Sequence, residues 1–194
     1  MAGLTVALKE WAIAVDALLA GELILLLRKG GIRDRGSQFQ VQTDRALLFP
    51  TLEHQRPALL KSPWRDGPRL DPENHPVPSL AVDSTPIQFQ GWADITHVLP
   101  LSDGDQVARL TPFHIWTPQW VTERMAWQPA RPIYALLLRV YRLPQPVSLP
   151  FHPTYSGCRS WVTVQEPVEG MGSEPVLADG DYRDRVLAVL ATIT

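Results

Sequence analysis

GELILLLRKGGIRDRGSQFQVQTDRALLFPTLEHQ, residues 21–55, decides the fold, since it holds the longest aliphatic run, the single Gly-Gly pair and the densest basic cluster of the chain. The apolar run over residues 22–28 predicts a buried strand, and the glycines after it predict a tight turn because they tolerate positive φ values. Alternating apolar and polar residues over 39–42 predict a half-exposed strand. Residues 46–49 predict another buried strand, which Pro50 ends. Short strands this close together indicate a sheet.

Outside this stretch, apolar periodicity predicts a helix over residues 4–20 with Gly21 as its stop. It also predicts a strand over residues 132–143, ended by Pro144 and Pro146. The remaining predicted elements are a helical turn within 53–60, a strand over 87–101, a short helix over 103–110, a proline-led helix over 119–127, a strand over 160–165 and an amphipathic helix over 180–192. The strands are too closely spaced for repeated crossover units. We therefore predict an α+β fold on a small mixed or antiparallel sheet, or on a small β-barrel, with flanking helices at both termini.

The domain organisation follows from length and composition. A chain of 194 residues can bury its own core, and we predict a single α+β domain over residues 1–165. An acidic linker and a C-terminal helix follow over residues 166–194. Residues 62–86 hold six prolines without a periodic apolar pattern, which predicts a mobile loop.

Features that are absent from the sequence limit the compartments and the chemistry that we predict for the protein. No apolar run approaches the roughly 20 residues of a membrane span, and no secretory signal is recognisable. We therefore predict a soluble, cytoplasmic protein that does not bind membranes. The single cysteine, Cys158, excludes intramolecular disulfides, and we expect it to be buried and inert. No cofactor-binding motif is recognisable, so no cofactor is predicted.

Charge is unevenly distributed along the chain, although the net charge is only −2. Residues 28–69 carry nine Lys or Arg against four acids, whereas residues 165–184 carry six acids against one Arg. This asymmetry indicates a polarised surface, or two segments that face each other.

The basic turn RKGGIR is the first candidate binding site. Backbone N–H groups at Gly30 and Gly31 can approach an anion closely. Arg28, Lys29 and Arg33 would neutralise the anion. The first functional hypothesis is therefore a module that binds RNA, DNA or a nucleotide through these phosphate-facing side chains. The alternative for the turn is a plain hairpin with solvated charges.

Tryptophans supply the second part of this hypothesis. Trp92 and Trp116 are candidates for stacking on a base, because aromatic rings and bases stack irrespective of sequence. The alternative for both residues is packing in the core.

Glu53 and His54 place a carboxylate beside an imidazole, directly after a predicted strand. Adjacent residues on a helical turn diverge by about 100°, so the pair cannot share a metal ion without an irregular backbone. We predict that they are not a metal site. A metal-dependent hydrolase that uses them is accordingly the least favoured of three functional hypotheses.

The third hypothesis is a protein–protein adaptor or scaffold that binds a partner through the proline-rich residues 62–86. The sequence leaves open whether the protein is an enzyme, which ligand it binds and which oligomeric state it adopts.

Several segments resemble a known family: AVDALLAGELILLLRKGGI, LLFPTLEHQ, HIWTPQWVTERM, LLLRVYRLPQPVSLP and YSGCRSWV. They are similar to the domain of unknown function 1802 from Leu8 to about Val164, and the segment beyond Gln165 lies outside the likeness. The name of that family carries no activity, so the resemblance implies no catalytic residues.

A weaker resemblance concerns GWADITHVLPL and ALLLRVYRLPQPVSL. These segments look like core strands of PUA-like barrels, especially the EVE and ASCH branches. That likeness implies a barrel with a side pocket for modified bases, RNA or nucleotides. The chain departs from the ASCH pattern because it lacks Gly-x-Lys-x-x-Glu-x-Arg.

Overall fold

The structure, a computed structural model, describes residues 3–29, 39–53, 55–66 and 86–193. The strands of this part are β1 Leu4–Trp11, β2 Leu25–Arg28, β3 Arg45–Thr51, β4 Ile87–Leu101, β5 Ile133–Leu149, β6 Trp161–Val168 and β7 Glu174–Pro175. Its α-helices are α1 Ala12–Leu19, α2 Gly104–Arg109, α3 Pro118–Ala126 and α4 Asp179–Ile193. Most of the proline-rich loop, residues 67–85, lies outside the described residues, so its predicted mobility stays a prediction.

The strands form one mixed sheet in the order β2-β5-β4-β3-β1-β6, with β7 paired to β5. The β1–β3 pair is parallel, and the other pairs of the described strands are antiparallel. The α+β class and the mixed sheet are thus confirmed. Within the described residues, the edge strands β2 and β6 do not pair with each other, so the sheet is open and the closed-barrel alternative does not hold.

The prediction of one helix over residues 4–20 was wrong in its first half. Residues 4–11 form the strand β1, which pairs with both β3 and β6, and only α1 is helical. A strand inside a sheet is buried on both faces, so its apolar residues do not alternate, and periodicity alone cannot separate it from a buried helix. The chain therefore begins with a strand, not with a flanking helix.

The prediction that Pro144 and Pro146 end the second long strand was also wrong, because β5 continues to Leu149. The ladder with β4 pairs Arg142 with Gly91 and resumes at Val147, with an irregularity between these pairs. Both prolines lie in this gap, where no ladder partner needs the N–H that proline lacks.

The open edges of the sheet face each other without pairing. Arg28 at the end of β2 donates to Glu10 Oε2 in β1 at 2.7 Å. Phe39 lies between Tyr134 and Trp161, with ring centroids 5.8 and 6.0 Å away. Residues 39–42, predicted as a strand, are therefore irregular backbone that packs between the sheet edges.

Two apolar clusters pack against the sheet. The larger one includes α1 together with Trp116 and Trp120, and α4 contributes Val186 and Val189 to it. The smaller one includes Trp92, whose ring stacks on Tyr141 with centroids 4.2 Å apart. No helix of the described residues is long and apolar enough to cross a membrane. Strand β6 runs past residue 165, and α4 contributes to the core. The division into a domain over residues 1–165 and a linker with a C-terminal helix stays a prediction.

A buried histidine makes stability depend on pH. His114 is 2% exposed, and burial, followed by the charge of Lys61, lowers its pKa from 6.5 to about 3. Between those two values the unfolded chain binds more protons than the folded one. We expect this contribution to stability to be complete above about pH 6.5 and to be lost as pH falls towards 3, at up to about 1.4 kcal/mol per pH unit.

Urea unfolding between pH 5 and 7 checks this prediction. We expect the free energy of unfolding of His114→Gln to vary less steeply with pH than that of the wild-type protein. Parallel profiles for the two proteins would contradict it.

Candidate functional site

A cavity of about 290 Å³ opens where β1 and β2 face each other across the sheet edges. Its walls come from those strands, from the turn after β3, from α3 and from the loop at residues 157–160. The side chains divide into an aromatic wall and a charged rim. We call it the first cavity.

The aromatic wall consists of Trp11, Trp116, Trp120 and Trp127. Trp116 and Trp120 stack with centroids 4.9 Å apart, and Trp11 meets Trp116 edge-on at 4.8 Å. Trp116 and Trp120 are buried, whereas Trp11 and Trp127 are partly exposed. The wall is therefore anchored in the core and open to a ligand on one side.

Helix α3 holds this wall in place. Thr117 caps the helix, and its Oγ1 accepts from Trp120 N at 3.4 Å, with Pro118 in the first turn. The predicted proline-led helix is thus confirmed. On the other side, Leu60 pairs with Trp116 in a short β-bridge, and Lys61 donates to the carbonyls of Thr111 and His114.

The charged rim carries more positive than negative side chains. Its cations are Lys9, Arg28, Lys29, Arg124 and Arg159, and its acids are Glu10 and Glu53. Counted over the described part of the chain, the rim therefore has an excess of three positive charges at neutral pH.

Lys9 is buried on one side of the rim, where it connects several segments of the chain. Its Nζ donates to Glu53 Oε2 at 2.6 Å and to the carbonyls of Tyr155 and Gly157 at 2.8 and 3.3 Å. Gly157 N donates to the other Glu53 oxygen at 3.4 Å. Lys9 and Glu53 therefore tie β1 to the turn after β3 and to the loop that carries Cys158.

Arg28 and Lys29 are held from inside the protein. Glu10 accepts from Arg28 through one carboxylate oxygen and from Trp11 N through the other, both at 2.7 Å. Lys29 Nζ donates to Arg124 O at 2.8 Å and to Met125 O at 3.2 Å near the end of α3. These two cations are therefore not the solvated charges of a hairpin turn. Gly30, Gly31 and Arg33 of the basic turn lie outside the described residues.

Arg124 and Arg159 present exposed guanidinium groups to the first cavity. Among the described residues, neither side chain has an ion pair or a hydrogen-bond acceptor. The Arg124 guanidinium lies 5.3 Å from the centre of the Trp120 ring. Desolvation by the surrounding walls and the charge of Arg28 lower the pKa of Arg124, against the opposing effect of Glu10. Desolvation and the charge of Arg124 lower the pKa of Lys29 in turn.

Of the predicted site residues, the structure brings Arg28, Lys29, Glu53 and Trp116 to one cavity. Trp92 is not among them, since it is buried in the smaller core cluster with its Nε1 donating to Ser173 Oγ at 3.0 Å. His54 lies outside the described residues, so the absence of a metal site there stays a prediction.

Sequence reasoning missed Lys9, Glu10 and Trp11 of β1 and Arg124 of α3. A charged pair, Lys9–Glu10, inside an apolar segment was the available signal, because buried charges occur where they are paired or functional. A second signal was the four-residue spacing of Trp120 and Arg124, which places both on one face of a helix. Cys158 was expected to be buried, but it is exposed at the cavity.

Fold and site together define an α+β protein with an open mixed sheet and a basic, tryptophan-lined cavity at its unpaired edges. The chain belongs to the family described as "Domain of unknown function (DUF1802)", which matches residues 7–188 and so includes the segment beyond Gln165. No curated protein matches the chain significantly.

The solved structures that resemble the chain include the ASCH protein of Zymomonas mobilis, with 10% identity, a TM-score of 0.46 and coverage of 94% of this chain and 93% of that one. A serine-to-alanine variant of the same protein gives 11% identity, a TM-score of 0.43 and coverage of 95% and 94%.

Proposed function

We propose that this protein binds a nucleotide, either free or as part of a single nucleic-acid strand, in the first cavity. The observation that carries the proposal is the cluster of Arg28, Lys29 and Arg124 beside the tryptophan wall. The charge of Arg28 disfavours that of Arg124, and the charge of Arg124 disfavours that of Lys29. An anion placed among these cations would relieve the repulsion. The neighbouring rings offer a stacking surface for a base. The cavity therefore favours a ligand that carries both an aromatic ring and a negative charge.

The size of the cavity supports the same class of ligand. Its volume of about 290 Å³ lies at the lower end of the range for small-molecule sites. Arg124 suits phosphate because a guanidinium donates two parallel hydrogen bonds to neighbouring oxygens. The Trp120 ring, whose centre is 5.3 Å from the guanidinium, offers it a cation–π contact.

We expect Arg124→Ala to weaken binding of adenosine 5′-monophosphate about tenfold or more, since hydrogen bonds to charged groups contribute about 1.5–3 kcal/mol. Tryptophan fluorescence reports the binding, because Trp11 and Trp127 line the cavity. For a single-stranded oligonucleotide, the slope of log affinity against log salt should become shallower by about 0.7, the value of one phosphate contact.

Arg183→Ala is the matched control, because Arg183 is an exposed arginine on α4 that does not line the first cavity. Its affinity should equal that of wild type. Absence of binding by the wild-type protein to nucleotides and oligonucleotides at about 50 mM salt would overturn the proposal.

A further inference from the structure

A second cavity of about 280 Å³ lies against the first one. Trp11, Trp120, Arg124 and Trp127 line both cavities. The two spaces therefore adjoin along these side chains, with Arg124 at their common border.

The two cavities differ in charge. Among the described residues, the second one adds Arg56, Leu59 and Glu123 to the shared side chains. Arg56 and Glu123 pair with each other at 3.3 Å, so Arg124 supplies the remaining positive charge. The second cavity thus has one positive charge in excess, at Arg124, whereas the first cavity has three.

This gradient matches the chemistry of a nucleic-acid strand, in which flat bases alternate with phosphates. A base in the second cavity would contact the tryptophans from the side opposite to the first ligand. The linking phosphate would then lie at the border, where Arg124 is accessible from both sides. A single cation suits that position because a phosphodiester carries one negative charge.

We propose that the two cavities form one site for two consecutive nucleotides of a single strand, with the linking phosphate at Arg124. This inference rests on the proposed function, since it requires that the first cavity binds a nucleotide. It adds the ligand class, which is an oligonucleotide and not a free mononucleotide.

The test compares adenosine 5′-monophosphate with the 5′-phosphorylated dinucleotide of two adenosines on the full chain. Stacking of one further base is expected to tighten binding about tenfold. The same dinucleotide without its second base should lose most of this gain, because only the phosphate remains to contact Arg124. Equal affinities for the mononucleotide and the complete dinucleotide would overturn the inference and leave the proposed function intact.

Arg56→Glu tests the position of the second nucleotide. Arg56 lines the second cavity only and is exposed, so the fold should tolerate the change. The added acid beside Glu123 should abolish the dinucleotide advantage and leave mononucleotide affinity within about twofold of wild type, because only the second nucleotide would be repelled. An unchanged dinucleotide advantage, or an equal loss for both ligands, would overturn the inference. If neither ligand binds the wild-type protein, the proposed function itself fails.

Discussion

Lys9→Met is expected to lower the free energy of unfolding by about 3 kcal/mol, and by up to about 5 kcal/mol. The Lys9 side chain is 5% exposed and the Glu53 side chain 26% exposed, so the substitution leaves a largely desolvated carboxylate without its cation. It also removes the donor to Tyr155 O and Gly157 O. Methionine keeps a similar volume, so the loss reflects the polar contacts and not a cavity. Urea unfolding measures the effect.

Arg56→Met is the matched control. It also breaks a pair between a basic side chain and a glutamate, but Arg56 and Glu123 are 59% and 42% exposed. Exposed pairs contribute about 0–1 kcal/mol. In the Lys9→Met/Glu53→Gln double variant, part of the lost stability should return because no unpaired charge remains. Losses of equal size for Lys9→Met and Arg56→Met would show that the buried pair has no special role.

The elements best predicted from sequence are those whose signals are local. The strand over 87–101 is found with the predicted bounds, because fifteen residues without a helical pattern leave little ambiguity. Helix α3 follows a threonine and a proline in the order that helix starts favour. The secondary structure of β1 depends instead on its pairing with β3 and β6. These partners are distant in sequence, so the residues of β1 alone could not predict a strand.

The candidate site was only partly predictable because long-range contacts assemble it. Lys9 and Glu53 are 44 residues apart, and Lys29 is 95 residues from the Arg124 carbonyl that it contacts. In the sequence Lys29 resembled a solvated charge of a turn. Its acceptors are backbone carbonyls near the end of a helix, and because every sequence provides such carbonyls, no residue type indicates the contact. The basic turn did locate this side of the cavity, but the accessible cations identified by the structure are Arg124 and Arg159.

The open sheet explains why a cavity forms here. In a closed barrel, hydrogen bonds between β2 and its neighbour would occupy the edge. In this sheet an ion pair, Arg28–Glu10, joins β2 to β1 instead, and the ring of Phe39 lies between Tyr134 of β5 and Trp161 of β6. Side-chain bridges leave space between them. The end of β2 therefore positions both this side of the cavity and the cations Arg28 and Lys29.

Gly91→Ala is expected to lower the free energy of unfolding by about 3 kcal/mol, the upper part of the range for overpacking. Gly91 lies in β4 at the irregularity of the β4–β5 ladder. A Cβ atom there would lie 2.5 Å from Tyr141 O and 2.6 Å from Leu19 Cδ2. The carbonyl belongs to the paired strand and cannot move alone, and Leu19 is buried at the end of α1, where Arg142 donates to its carbonyl at 2.6 Å.

Gly104→Ala provides the comparison, because a Cβ atom at Gly104 meets no heavy atom within 4 Å. Gly104 opens α2, so alanine should be neutral or stabilise the protein by up to about 1 kcal/mol through the unfolded chain. Urea unfolding of the two variants separates crowding from a general effect of replacing glycine. If Gly91→Ala unfolds at the same urea concentration as wild type, α1 and β5 do not enclose that backbone as closely as the structure indicates. The packing of α1 on the sheet would then need revision, because the Leu19 contact at Gly91 is part of what holds the helix in place.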